Sequence, residues 1–113
     1  MGYYSKVYIA VPVKDMVAME VLGRGSFDTK DFNIGKKKFV FFYSDELKWY
    51  DEFSDVKPVN EFIEAHPFDE EKMEGRAMIA IGEDGLIHNE VGDWPCIFKL
   101  ETRVVDADIN PSL

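Results

Sequence analysis

The sequence lacks the features by which many enzymes and secreted proteins are recognised. Cys96 is the one cysteine among 113 residues, so no internal disulfide can form and a reducing compartment fits best. There is no glycine-rich phosphate loop, and Ser26, Ser44 and Ser54 lack the context of a catalytic serine. No apolar run reaches the length of a membrane span, and no secretion signal opens the chain. We therefore expect a cytoplasmic protein with no membrane contact and no cofactor.

Basic residues are also scarce: the chain has 13 Lys and Arg against 22 Asp and Glu, a net charge of −9. Residues 1–38 carry a net charge of +3 and residues 39–113 a net charge of −12, with eleven acids and three lysines in residues 45–74. Because phosphate backbones repel an acidic surface, we expect no direct binding of nucleic acid. The acids either keep the protein soluble or meet a basic protein partner.

What the chain does contain is apolar periodicity, and 46% hydrophobic residues suffice for one core. Strands are predicted at residues 6–13, 39–43, 47–50, 76–81, 86–90 and 96–103, and helices at residues 13–22 and from 54 or 55 to 67. This order predicts an α+β fold: an antiparallel or mixed sheet of four to five strands with two helices on one face. The arrangement expected is ferredoxin-like, built from split βαβ units. We assign residues 1–105 to this single domain and residues 106–113 to a frayed C-terminal tail.

Two segments are interpreted as irregular connections. Residues 23–38 are rich in glycine, lysine and aspartate and predict a long loop, with at most a short strand near Phe27 or Phe32. Residues 44–46, Ser-Asp-Glu, predict a turn between two strands.

Three stretches of the sequence carry a family resemblance when they are taken together. They are Met1-Gly2-Tyr3-Tyr4-Ser5 before an apolar strand, residues 39–50 ending in Lys48-Trp49-Tyr50 before Asp55-Val56, and Ile79-Ala80-Ile81-Gly82-Glu83-Asp84. They resemble a family of small, uncharacterised proteins encoded by bacteriophages and prophages, over residues 1–12 and 39–90. The resemblance implies no catalytic residues. It implies an accessory protein that works in the host cytoplasm by binding and inhibiting a host or anti-phage defence protein.

An aromatic and acidic surface is the candidate binding site. Tyr and Trp are enriched in interface hot spots, and carboxylates beside them suit a basic groove. The partner-binding residues we assign are Trp49, Tyr50, Asp51, Glu52, Glu61, Glu64, Glu70 and Glu71. The alternative interpretation is that the aromatics belong to the core and the acids form an ordinary solvated face.

A second group contains the densest set of metal-ligand side chains. Its members are Glu83, Asp84, His88, Glu90 and Asp93. Such donors suit Mg²⁺, Mn²⁺ or Ca²⁺, but their spacing matches no EF-hand and no paired-His helix, so we expect no bound metal. We interpret His66 as a partly buried residue at a helix end and Cys96 as a small core residue. No catalytic residue is assigned.

The sequence thus favours a small acidic protein that binds a basic protein partner, for example a nucleic-acid-binding protein. Two alternatives stay open: a small metal- or carboxylate-dependent enzyme, and a virion-associated or structural component. A cleft with converging carboxylates would favour the enzyme, whereas a flat or convex acidic face would favour the binding protein.

Overall fold

The computed structural model describes residues 4–23, 25, 27–34, 36–47, 56–82, 86–94, 97–100 and 109–111. A 3₁₀ turn at Val13–Asp15 precedes the first helix. The strands and helices in this part of the chain are β1 (Ser5–Pro12), α1 (Met16–Gly23), β2 (Asp28–Ile34), β3 (Lys37–Leu47), α2 (Lys57–Glu64), β4 (Ala77–Gly82), β5 (Ile87–Val91), β6 (Phe98–Leu100) and β7 (Ile109–Pro111). Across these described ranges, no helix is long and apolar enough to cross a membrane.

The main sheet has five strands in the order β2-β3-β1-β4-β5, and each neighbouring pair is antiparallel. Strand β1 lies at the centre because its side chains are apolar on both faces: Val7 and Ile9 are buried on one face, Tyr8 and Ala10 on the other. A strand buried on both faces requires a covering layer on each side of the sheet. Strands β6 and β7 form a separate two-stranded sheet.

Both helices cover the same face of the main sheet, as the sequence predicted. Met19 of α1 and Val59 and Ile63 of α2 pack into one cluster with Val7 and Phe42 of the strands. The α+β class and the two helices on one face are therefore confirmed. The sequence predicted an antiparallel or mixed sheet of four to five strands, and the sheet is antiparallel with five. The five-strand order of the whole sheet is not that of a ferredoxin-like fold, so the predicted split βαβ arrangement is not confirmed.

The helices form where the apolar spacing predicted them. In α2, Pro58 occupies the first turn, where its missing N–H costs no hydrogen bond. Val59 and Ile63 lie four residues apart and share its buried side. The predicted caps, residues 54 and 55, lie outside the described residues.

In the part of the chain that the structure describes, no helix covers the opposite face of the sheet. Tyr8, Phe39 and Phe41 are buried there, together with Phe68 after α2 and Ile97 after β5. The Tyr8 and Phe41 rings stack with centroids 5.9 Å apart, and Phe68 meets Phe39 edge to face at 6.0 Å. Irregular chain therefore closes this side of the core.

Two predictions about connections are wrong. Residues 23–38 are not a long loop, because Asp28–Ile34 form an edge strand paired with β3. The short strand that the sequence allowed near Phe32 lies within this edge strand. Five of its seven residues are polar, so the strand lacks the apolar and polar alternation on which strand prediction depends. Residues 44–46 are not a turn, because β3 continues to Leu47. The register with β1 shifts by one residue between Ser5 and Val7, and this bulge accommodates the polar stretch within the strand.

The C-terminal end also differs from its prediction. Ile109–Pro111 pair with Phe98–Leu100 as an antiparallel strand, whereas the sequence predicted a frayed tail from residue 106. Three residues of that stretch are therefore part of a sheet.

Candidate functional site

The structure describes half of the assigned partner-binding residues. Glu61, Glu64, Glu70 and Glu71 are all exposed. Trp49, Tyr50, Asp51 and Glu52 lie outside the described residues.

The four described acids lie on two elements. Glu61 and Glu64 are on the outer side of α2, whose Ile63 packs into the helix-covered face. Glu70 and Glu71 follow Phe68, which packs into the opposite face. The four acids therefore belong to the layers on both sides of the sheet: Glu61 and Glu64 to the helix layer, and Glu70 and Glu71 to the layer on the other face.

The second pair belongs to a compact segment that we call the acidic turn, residues 67–76. The Phe68 N–H donates to the Arg76 carbonyl at 2.7 Å, and the Asp69 N–H donates to the Glu74 carbonyl at 2.8 Å. At the tip, the Glu71 N–H donates to the Asp69 carboxylate at 2.9 Å. These bonds fix the backbone that presents the exposed carboxylates of Glu70, Glu71 and Glu74.

Phe68 fixes the acidic turn to the core. Its side chain is buried, and its carbonyl accepts a hydrogen bond from the Asp93 N–H at 3.0 Å. Close packing around it requires glycine at two positions. Gly75 has φ +113°, and a Cβ there would collide with the Pro67 carbonyl oxygen; Gly92 has φ +75°, and a Cβ there would lie 2.7 Å from the Phe68 nitrogen.

Two further contacts join the acidic turn to other parts of the chain. The Asp93 carboxylate accepts a hydrogen bond from the Glu70 N–H at 3.0 Å. The Lys37 ammonium donates to the Lys72 carbonyl at 2.9 Å. The turn is thus linked both to the segment after β5 and to the start of β3.

Arg76, at the end of the turn, makes a contact network that was not predicted from the sequence. Its Nε lies 3.1 Å from the Asp15 carboxylate, and both side chains are about 15% exposed. Its Nη1 donates to the Phe62 carbonyl at 2.5 Å, and the guanidinium lies 3.7 Å from the centre of the Phe62 ring. The sequence signal for this network was an arginine directly before an apolar strand. Sequence alone does not indicate that this arginine pairs with Asp15, which lies 61 residues earlier. This network joins the acidic turn to the helix layer.

The proposed metal-ligand group is described only in part, because Glu83 and Asp84 lie outside the described residues. Within the described ranges, no three His, Cys, Asp or Glu side chains are grouped so that they could hold a metal ion. Glu90 accepts a hydrogen bond from the Trp94 indole at 3.0 Å, and Asp93 holds the Glu70 N–H. These two carboxylates therefore have structural contacts within the protein.

Of the remaining sequence candidates, the structure describes His66 and Ser44, and these two do not form a catalytic group. His66 is exposed rather than partly buried, because α2 ends at Glu64, before the helical face would have turned it inward. Ser44 is half-buried within β3, while Ser26, Ser54 and Cys96 lie outside the described residues. Two clefts of about 340 and 250 Å³ flank β2, and the described residues that line each of them include one carboxylate, Glu20 and Asp31 respectively. Neither brings two carboxylates together as an acid–base pair requires.

In comparisons with known proteins, no family model, no curated protein and no solved structure matches this chain.

Proposed function

We propose that the protein binds a basic protein partner, and that the acidic turn is the centre of the contact surface. The observation that carries this proposal is the combination of exposed Glu70, Glu71 and Glu74 with a backbone held by internal hydrogen bonds and by buried Phe68. A binding element that is already ordered loses little conformational entropy when the partner docks.

The charge pattern supports a basic partner. Adjacent carboxylates on one rigid element produce a local negative potential, which accelerates encounter with a positive surface and weakens as salt is added. The outer side of α2, with Glu61 and Glu64, extends this potential on the helix layer. Trp49, Tyr50, Asp51 and Glu52 stay in the proposal as predicted aromatic and acidic partner contacts.

The biological role that we propose is inhibition of a host or anti-phage defence protein by a phage-encoded accessory protein. The resemblance of residues 1–12 and 39–90 to small phage and prophage proteins supports this role. A nucleic-acid-binding target fits the charge, because a protein surface shaped for phosphates is basic and an acidic surface can occupy it. Neither cleft beside β2 favours the enzymatic alternative.

We also propose that strands β1 to β4 and the two helices form a ferredoxin-like unit to which β5 is added. The pairings support it: β1 and β2, joined through α1, run parallel with β3 between them. Similarly β3 and β4, joined through α2, run parallel with β1 between them. These are two split βαβ units. An experimental structure in which either crossover is left-handed would contradict this assignment.

The binding proposal is tested by charge reversal and capture from a bacterial lysate. The tagged protein is used as bait at low and high salt, with mass spectrometry of what it retains. Glu70→Lys with Glu71→Lys should abolish capture of a basic protein, and Glu61→Lys with Glu64→Lys should weaken it.

The matched control reverses Lys30, Lys36 and Lys38 to glutamate. Lys37 is left unchanged because its ammonium holds the Lys72 carbonyl. If the lysine variant loses the captured protein while both acidic variants keep it, the partner binds the β2–β3 hairpin and the proposal is wrong.

A further inference from the structure

The two helices leave part of their own side of the sheet uncovered. Thr29 and Asp31 of β2 pair with Phe42 and Val40 of β3. Directly paired residues share a face, and Phe42 and Val40 face the helices, so Thr29 and Asp31 do as well. Strand β2 is the edge strand of the sheet. A cleft consequently runs between α1 and β2.

This cleft is the one of about 340 Å³ described above, and its volume is within the range of small-molecule sites. We call it the α1–β2 cleft. Met19 and Gly23 of α1 line one side, Phe27 and Thr29 line the other, and Phe42 of β3 contributes from the sheet. The Phe27 and Phe42 rings meet edge to face, 6.4 Å apart at 87°. The interior is therefore mostly aromatic and aliphatic.

Glycine at position 23 keeps this space open. A Cβ built there would lie 3.0 Å from the Phe27 ring, so a larger residue would displace that ring or fill the cleft. Gly23 is the last residue of α1, and a glycine at the C-terminal end of a helix costs little helix stability.

Among the described residues that line the cleft, the polar side chains are those of Glu20 and Thr29. Glu20 is exposed on α1, and the exposed Thr29 adds a hydroxyl from the other side. Among the described lining residues, Glu20 is the sole charged group. A ligand with an apolar body and a cationic head group would match both the apolar interior and the Glu20 carboxylate. A cation near an aromatic face gains further attraction.

We infer that the α1–β2 cleft is a binding site for an organic ammonium, with an aromatic or aliphatic body against Phe27 and Phe42 and the cation beside Glu20. This site is distinct from the acidic turn, because none of the described residues that line the cleft belongs to residues 67–76. A ligand of about ten heavy atoms is expected to bind with a Kd of about 1 mM.

The experiment is an NMR titration of the ¹⁵N-labelled protein with phenethylammonium. Phenylacetate, of similar size and opposite charge, is the matched control ligand. We expect saturable shifts of amides in residues 19–23 and 27–29 with the ammonium, and at least about tenfold weaker binding of the carboxylate.

Variants separate the contributions of charge and shape. Glu20→Gln should remove the preference for the cation, whereas Glu90→Gln, on the edge strand β5, should leave it unchanged. Thr29→Phe should fill the cleft and abolish the shifts, whereas Lys30→Phe, on the other face of the same strand, should not. Both phenylalanine substitutions suit an edge strand.

The inference is overturned if phenethylammonium gives no saturable shifts, if phenylacetate binds as tightly, or if Glu20→Gln keeps the full preference. A capped peptide with adjacent Phe and Lys distinguishes the source of the cation. Tighter binding of the peptide than of the free amine supports a protein side chain as the ligand, and weaker binding supports a free amine.

Discussion

The two faces of the central sheet are equally buried but are built from different side chains and covered in different ways. The helix-covered face is mainly aliphatic, with Val7, Ile9 and Val11 beneath α1 and α2. The other face is richer in aromatic side chains, with Tyr8, Phe39, Phe41 and Phe68, and irregular chain covers it.

The difference shows what each kind of cover requires. A helix satisfies its own backbone hydrogen bonds and presents a regular surface to β-branched side chains. Irregular chain has to find partners for its backbone one by one, which here involves Asp93, Lys37 and Asp69 as well as two glycines at positive φ. In return it holds exposed carboxylates at fixed positions, which loops on a rigid scaffold commonly do at binding sites.

The largest expected effects come from phenylalanines on the two sides of β3. Phe39→Ala and Phe42→Ala each remove a fully buried ring, and each should lower the free energy of unfolding by about 3–5 kcal/mol in urea melts. Only Phe39→Ala should also speed amide exchange across the acidic turn, because Phe39 contacts Phe68. Equal exchange in both variants would show that the two faces do not support separate segments.

Gly75→Ala should have the next largest effect. The new Cβ meets backbone atoms of residues 67 and 68 at a positive φ, so we expect a loss of about 2–3 kcal/mol. Gly25→Ala is the control: it shares the positive φ but has open space around the Cβ. A smaller loss for Gly75→Ala than for Gly25→Ala would mean that contact with the Phe68 backbone is unimportant.

Arg76→Met tests the link between the two layers. It keeps much of the apolar stem but removes the Asp15 ion pair and the hydrogen bond to the Phe62 carbonyl. We expect thermal and urea unfolding to show a loss of about 1–2 kcal/mol. Lys57→Met, at an exposed position of α2, should change stability by less than about 0.5 kcal/mol. Similar values for the two variants would indicate that the layers do not depend on this arginine.

The smallest effect on stability is expected for charge reversal in the acidic turn, which is also where we expect the largest effect on binding. Reversing Glu70 and Glu71 to lysine alters exposed side chains whose backbone atoms make the internal contacts. Stability should therefore change by about 0.5 kcal/mol or less, as measured by chemical denaturation. A loss above about 2 kcal/mol would mean that the side chains themselves hold the turn together.

Local periodicity was sufficient to predict some elements and not others. Val7, Ile9 and Val11 alternate, and Val59 and Ile63 share a helical face, so β1 and α2 were predicted from the sequence. For β2 the sequence predicted at most a short strand near Phe27 or Phe32, because the stability of this strand comes from pairing with β3, which its own polar residues do not indicate. The acids at 61, 64, 70 and 71 were predicted to be exposed and are. Their division between two layers depends on Phe68 crossing to the other face, a tertiary contact that no local pattern contains.

The central position of β1 has a consequence for how the chain folds. Ser5 pairs with Gly82, whereas Ile34 pairs with Lys37, and contacts between distant residues form slowly because loop closure costs entropy. During synthesis β1, which is apolar on both sides, is made before β4 and cannot pair with it until residues 77–82 are also made. We expect the β2–β3 hairpin to form first on refolding, which pulse-labelled hydrogen exchange would show as early protection of its amides, with protection of the β1–β4 amides following. The reverse order would contradict this expectation. Until β4 arrives, β1 is the segment of the nascent chain most exposed to aggregation and to chaperones.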